Sequence, residues 1–396
     1  MTVTEKPRMI GLTGDHAVAE AVKLCKPDVV AAYPITPQTI IVERYSDYVA
    51  NGEVHTEFVT VESEHSAMSA CIGASATGAR VFTASASAGI MLMYEMIFVA
   101  SAYRCPIVMS VANRAISGPI NIHGELTDQL LFKDSGWIEA FSESNQEAYD
   151  QHILAFKIAE HPDVQLPVAV GLDGFIITHA MEGFYPVSQK FVDDFLPLRE
   201  AEYKLEPDTP GTFGFLALQD YYTEQRYQVK EALNRARKVI LEVYQEWGEL
   251  TGRYYKPLES YQLDDADYAF VTMGAFAGTA KAAVNELREK GEKVGLIKIR
   301  NLRPFYNDDL ISLTKNLKGL ISVERSHAFG GDGGLMSSEV KNTLYYADNK
   351  PLISDWFAGL GGRDLILDGW QKIYATAKKS FKEGKSLRPQ WYGVRP

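Results

Sequence analysis

Residues 28–38 read Asp28-Val29-Val30-Ala31-Ala32-Tyr33-Pro34-Ile35-Thr36-Pro37-Gln38. Positions 29–33 form an apolar run without alternation, which suits a strand buried on both faces. Two prolines end it, and residues 38–50 then carry helical periodicity. Pro37 suits a first helical position and Thr36 an N-cap, so the helix is expected to start right at this corner. The same strand-then-helix unit recurs on either side. Residues 58–61, 81–84, 107–111 and 168–172 read as strands, and 65–77, 91–102 and 146–160 as helices. Such alternation implies βαβ units and a parallel sheet covered on both faces, an α/β fold. Ligand sites in these sheets lie at the C-terminal ends of the strands. The loops beginning at Tyr33, Val61, Ser85 and Ala112 are therefore expected on one rim.

After residue 182 the pattern changes. Pro186, Pro197, Pro207 and Pro210 punctuate a connector. A long amphipathic helix is expected over 221–250, with Val229, Leu233, Val239, Leu241 and Val243 on its apolar side. A second α/β unit begins near Tyr268. Its expected strands are 270–273, 294–299, 319–323 and 352–355, and its helices 277–290, 308–314 and 335–346, with Gly291 as a helix stop. Two α/β units joined by a connector and a long helix follow from this reading.

Composition narrows the function. The 396 residues hold 40 Lys and Arg against 51 Asp and Glu, a net charge of −11. A nucleic-acid binder would show a basic stripe, so no nucleic-acid partner is expected. Cys25, Cys71 and Cys105 lie far apart with no CxxC pair. An iron–sulfur cluster or structural zinc held by this chain alone is not expected, nor is a secreted disulfide framework. Residues 1–8 carry no apolar signal core. The apolar stretch 90–102 is broken by Glu95 and is too short for a bilayer, so a cytoplasmic protein without a membrane segment is expected.

Several rim positions can carry chemistry. Thr36 offers a hydroxyl at the end of the first strand, or serves only as a helix cap. Val61-Glu62-Ser63-Glu64-His65 occupies the equivalent place on the next strand. One glutamate there complements a helix dipole. The second, directed into an apolar Ala/Ser/Gly region, is a candidate proton-exchanging carboxylate. His65 reads as a structural polar residue. Arg114 ends the strand 107–111, either in a surface ion pair or as a fork for a carboxylate. The loop 117–128 holds Asn121, His123, Glu125 and Asp128 and can line a pocket mouth, but its spacing makes no metal site. Gly330-Gly331-Asp332-Gly333-Gly334 fits a tight strand-to-helix turn better than a phosphate cradle.

Together, YPITPQ at 33–38, VESEHSA at 61–67, SASAG at 85–89, VANR at 111–114 and DSGW at 134–137 resemble the α subunit of 2-oxoacid:ferredoxin oxidoreductases. The likeness is strongest to the multi-subunit pyruvate:ferredoxin oxidoreductase (pyruvate synthase) group. It continues through LDGF at 172–175, LRPF at 302–305 and GLGGRD at 359–364, covering most of the chain. The resemblance implies a thiamine diphosphate pyrimidine-binding domain over 1–250 and a domain like the transketolase C-terminal domain over 260–396. It implies a thiamine diphosphate shared with a β subunit that carries the pyrophosphate-binding domain. Mg2+ and [4Fe-4S] clusters would sit on partners, including γ- and δ-type iron–sulfur subunits. The implied reaction is reversible oxidative decarboxylation of pyruvate with coenzyme A to acetyl-CoA, CO2 and reduced ferredoxin, a step of anaerobic metabolism.

By the same resemblance, Glu64 is the cofactor-activating glutamate. Arg114 binds the substrate carboxylate. Thr36 hydrogen-bonds substrate or intermediate at the cofactor, and speaks against oxalate-specific relatives, which carry arginine there. His123 lies where pyruvate members usually carry an aromatic residue, so it is expected to shape the substrate pocket. Phenylglyoxylate, a branched-chain 2-oxoacid or 2-oxoglutarate are the alternative substrates. A non-catalytic scaffold subunit is the alternative of a different class.

Overall fold

The computed structural model describes residues 8–395. Of the 1–8 stretch read for a signal core, only Arg8 falls within them. A seven-stranded sheet organises the first half. In spatial order its strands are Asn301–Arg303, Ile138–Phe141, Val168–Asp173, Ile107–Asn113, Val81–Ser85, Val29–Ala32 and Glu57–Thr60. The six strands from the first half pair in parallel, and only Asn301–Arg303 runs antiparallel, against Ile138–Phe141. All six therefore end on one rim. The three central strands, Val81–Ser85, Ile107–Asn113 and Val168–Asp173, are buried at every position. That burial explains their unbroken apolar runs.

Both faces are covered. Helices Gly14–Cys25 and Asn145–Glu160 pack on one face through Val18, Val22, Ile153 and Phe156. Met68, Cys71, Ile97, Phe132 and Trp137 fill the other. Trp137 also donates its indole N–H to the Ile97 carbonyl at 2.8 Å, which gives the DSGW segment a packing role. The second half carries a six-stranded sheet in the order Leu387–Trp391, Leu352–Phe357, Gly319–Glu324, Tyr268–Thr272, Val294–Ile299, Leu258–Tyr261. Its strands are parallel except Leu258–Tyr261.

Some elements depart from the sequence reading. The helix Gly14–Cys25 has no counterpart in the sequence reading; most of it is buried, and His16, Glu20 and Lys23 line its half-buried side. The helix expected at 91–102 is two, Ser87–Leu92 and Tyr94–Ala102, broken at Met93. The long helix spans Tyr222–Thr251 and stops at Gly252, whose φ of 76° is left-handed. Leu241, expected on its apolar side, is 47% exposed.

The halves are joined by buried charge. Glu147 on helix Asn145–Glu160 accepts from Lys298 Nζ at 2.6 Å and from Arg300 Nε. Asp173 accepts from Arg325 Nη1 at 2.8 Å and from the Ala275 backbone N–H at 2.8 Å. Burial pushes the Glu147 carboxyl up, but Arg300 and Lys298 more than offset it and hold it below its ordinary range. A carboxyl held low contributes stability above its unfolded value and loses that contribution as pH falls through the folded value. Removing one partner of such a cluster strands the others. Glu147→Gln should therefore lower the unfolding free energy by about 3 kcal/mol at pH 7, read from the denaturant midpoint. The deficit against wild type should shrink as pH falls below the usual carboxylate range.

Candidate functional site

Glu64 is the first residue of helix Glu64–Ala76, capped by Ser63, whose Oγ accepts from the Ser66 N–H at 3.2 Å. The helix start turns Glu64 inward, leaving it 5% exposed. Its neighbours are occupied: Glu62 is exposed and accepts from Ser66 Oγ, and His65 Nε2 lies 3.9 Å from Glu95. Among the described residues, no group in the chain hydrogen-bonds or ion-pairs the Glu64 carboxylate. Its space is made by Gly89. A Cβ there would stand 2.6 Å from Glu64 Oε1 and 2.5 Å from Ser85 Oγ. Ser85 Oγ is itself buried without a partner.

Arg114 follows the fully buried strand Ile107–Asn113 and is 5% exposed. Its Nη1 donates to the Thr36 carbonyl at 3.0 Å and its Nε to the Asn121 carbonyl at 3.1 Å. No carboxylate pairs with its side chain among the described residues, so the surface ion-pair reading does not hold. Burial lowers its pKa, with Asp128 opposing. A guanidinium in this state suits an incoming carboxylate, which supplies the missing charge.

Thr36 is exposed beside Arg114 but is not the expected N-cap. The helix spans Thr39–Ala50 with Gln38 at the cap position. The wholly buried Gln38 side chain donates to the carbonyls of Tyr33 at 2.8 Å and Ala84 at 3.2 Å. This holds residues 33–38 across the neighbouring strand's end and delays the helix. Thr36 lends its carbonyl to Arg114, and its hydroxyl has no partner among the described residues. His123 is exposed, its ring 4.9 Å from Phe175. Its loop touches the second half, where Asn121 Nδ2 donates to the Gly361 carbonyl at 3.1 Å and the Gly362 N–H to the Gly124 carbonyl at 3.0 Å. The GLGGRD segment thus packs against the rim.

The structure brings Thr36, Arg114 and the His123 loop together by direct bonds. Glu64 stands at the turn after Val81–Ser85, whose Ser85 pairs with Val111 on the strand leading to Arg114. The glycine run at 330–334 is a structural turn. Met336 and Ser337 at the start of helix Leu335–Tyr345 donate their N–H groups to Glu324, at 3.0 and 3.2 Å. The chain's own carboxylate fills the anion position, and Gly334 is required because a Cβ would fall on it. Sequence reasoning placed Asp128 only among residues lining a pocket mouth and gave Gln38 no role of its own. A lone polar residue in a polar loop gives no periodic signal of its burial.

Residues 20–245 match the family described as pyruvate flavodoxin/ferredoxin oxidoreductase, thiamine diphosphate-binding, and residues 266–368 match pyruvate:ferredoxin oxidoreductase core domain II. The chain belongs to this oxidoreductase family. It resembles α-type subunits throughout. It is 46% identical to pyruvate synthase subunit PorA of Thermotoga maritima over 93% of this chain and 94% of that one. It is also 46% identical to the PorA subunit of Methanocaldococcus jannaschii, over 97% of each. Ketoisovalerate oxidoreductase subunit VorA of Pyrococcus abyssi is 42% identical over 99% of this chain and 100% of that one. Among solved structures, the 2-oxoglutarate:ferredoxin oxidoreductase of Magnetococcus marinus superposes with a TM-score of 0.72 at 18% identity, covering 94% of this chain and 65% of that one, a likeness of fold. No helix among the described residues is long and apolar enough to cross a membrane.

The features this oxidoreductase subunit offers its cofactor fit a thiamine ring. They are a buried carboxylate free of internal partners, a glycine whose Cβ would fill the space beside it, and an orphaned hydroxyl. Gly89→Ala should push the Glu64 carboxylate aside and lower turnover of the assembled enzyme about 100-fold. Steady-state kcat checks this, with the thermal midpoint showing that the fold survives. Unchanged kcat would mean the cradle has no part in catalysis.

Proposed function

We propose that this chain is the catalytic α subunit of a pyruvate:ferredoxin oxidoreductase and that Glu64, Arg114 and Thr36 do its chemistry. The buried Glu64 carboxylate, without a partner among the described residues and seated over Gly89, carries the reading. Arg114 on the same rim, whose side chain bonds carbonyls and no carboxylate among the described residues, supports it.

When bound, thiamine diphosphate supplies the nucleophilic carbon that attacks the 2-oxo group and holds the electrons left after CO2 departs. Glu64 would hydrogen-bond the aminopyrimidine ring nitrogen and hold a proton there, favouring the imino tautomer whose exocyclic nitrogen can act as base. Arg114 binds the substrate carboxylate and orients the adjacent carbonyl. The Thr36 hydroxyl hydrogen-bonds the substrate oxygen. His123, stacked toward Phe175, limits the pocket. Iron–sulfur clusters on the proposed partners would accept the electrons, and coenzyme A would accept the acyl group.

The proposed assembly is a β subunit bearing the diphosphate site and Mg2+, with γ- and δ-type subunits bearing [4Fe-4S] clusters and ferredoxin as acceptor. The working units of this chain are residues 1–250 and 260–396, in a cytoplasmic complex. The PorA relatives favour pyruvate, and the VorA likeness makes a branched-chain 2-oxoacid the rival substrate.

Glu64→Gln should lower turnover of the assembled complex at least ~100-fold without loss of assembly. Normal turnover would remove Glu64 from the mechanism. Arg114→Ala should raise KM and lower kcat together, since the contact both binds and aligns. An unchanged kcat/KM would place the substrate elsewhere. With dye as acceptor, pyruvate should show a higher kcat/KM than 3-methyl-2-oxobutanoate, 2-oxoglutarate and phenylglyoxylate. A reversed order would reassign the substrate.

A further inference from the structure

Asp128 is wholly buried and takes no side-chain ion pair among the described residues. Its Oδ2 accepts the backbone N–H groups of Ser87 and Arg114, each at 2.9 Å. Its Oδ1 accepts Asn113 Nδ2 at 3.0 Å and the Gln129 N–H at 2.8 Å. Four donors converge on one side chain, and an aspartate can accept from all of them. An asparagine would turn its own two hydrogens toward one pair. Burial pushes this carboxyl up to about 6 even though the four bonds favour the charged form. The site is therefore expensive to build, and its donors show what it fixes.

Those donors lie on both sides of the groove between two neighbouring strand ends. Ser87, at a left-handed φ of 47°, opens the helix Ser87–Leu92 that carries Gly89, the floor beneath Glu64. Arg114 and Asn113 end the adjacent strand. Asp128 sits on the short helix Thr127–Leu130, which the second half holds in place. The Leu126 N–H donates to the Arg325 carbonyl at 2.8 Å, and the His327 N–H donates to Thr127 Oγ1 at 3.2 Å. Arg325 in turn holds Asp173 at the end of the strand Val168–Asp173.

We infer that Asp128 is a positioning residue for the substrate arginine: it fixes the Arg114 backbone against the Ser85–Gly89 turn, with the second half of the chain as its anchor. This rests on Arg114 binding the substrate carboxylate. It gives the second half a task at the site, holding the short helix whose carboxylate sets the guanidinium.

A double-mutant cycle on the assembled complex tests it. Asp128→Asn should lower kcat/KM for the 2-oxoacid about 10-fold, chiefly through KM. In an Arg114→Ala background the same change should cost less than about 2-fold, because a residue acting through Arg114 has nothing left to position. A general packing defect would instead cost the same in both backgrounds. Asn113→Ala removes one donor and keeps the Ser87 and Arg114 contacts. It should give about a 3-fold loss with the same dependence on Arg114, and it decides the matter if Asp128→Asn fails to fold. Equal losses in both backgrounds, or no loss, would overturn the role of Asp128 while Arg114 stands. A silent Arg114→Ala would instead overturn the substrate reading on which it rests.

Discussion

Glu64, beside the turn that follows strand Val81–Ser85, and Arg114, after the adjacent strand Ile107–Asn113, are buried groups of opposite type, and neither side chain has an ion-pair partner among the described residues. Stranding a buried charge is expensive, so a stable chain ordinarily pairs it or neutralises it. This structure does both elsewhere. Arg80 pairs with Glu160 at 2.8 Å and Arg253 with Asp150 at 2.6 Å. Glu139 has no partner for either oxygen, and burial pushes it up to about 8, into its neutral form at neutral pH. Glu64 and Arg114 belong to neither set, and in the proposed function a ring nitrogen complements the first and a substrate carboxylate the second.

The surrounding architecture serves to keep these two groups in place without satisfying them. Buried parallel strands fix where the chain ends, and the groups bonded to Arg114 are carbonyls that orient it and leave its charge uncompensated. Gln38 closes the first corner, Gly89 clears space, and Asp128 ties adjacent turns together. The junction of the halves works to the same end. The strand Asn301–Arg303 crosses over to complete the first sheet, and Asp173 with Arg325 links a strand end of each half. The cofactor edge and the second half are thereby mechanically continuous.

Much of this was legible in the residues. Apolar runs punctuated by prolines and glycines gave the parallel sheet, and the parallel sheet gave the rim. The Ala- and Ser-rich surroundings singled out one inward carboxylate, and the structure separates exposed Glu62 from buried Glu64, which also holds the first-turn position of its helix. Other features left no local trace. The helix Gly14–Cys25 shows only a narrow half-buried polar stripe, His16, Glu20 and Lys23, and the reading missed it. Residues 36 and 37 have good capping chemistry, but the Gln38 amide overrides it by bonding two carbonyls, one of them 46 positions away. Asp128, Asp173 and Arg325 matter through partners distant in sequence, and a single chain read linearly cannot pair them.

The most direct measurement is a structure of the assembled enzyme with thiamine diphosphate bound. The Glu64 carboxylate should lie within hydrogen-bonding reach of the pyrimidine ring nitrogen, roughly 2.6–3.2 Å, with Arg114 open to the reacting carbon's side. A pyrimidine ring bonded by a different acid, with Glu64 turned toward water, would contradict this assignment.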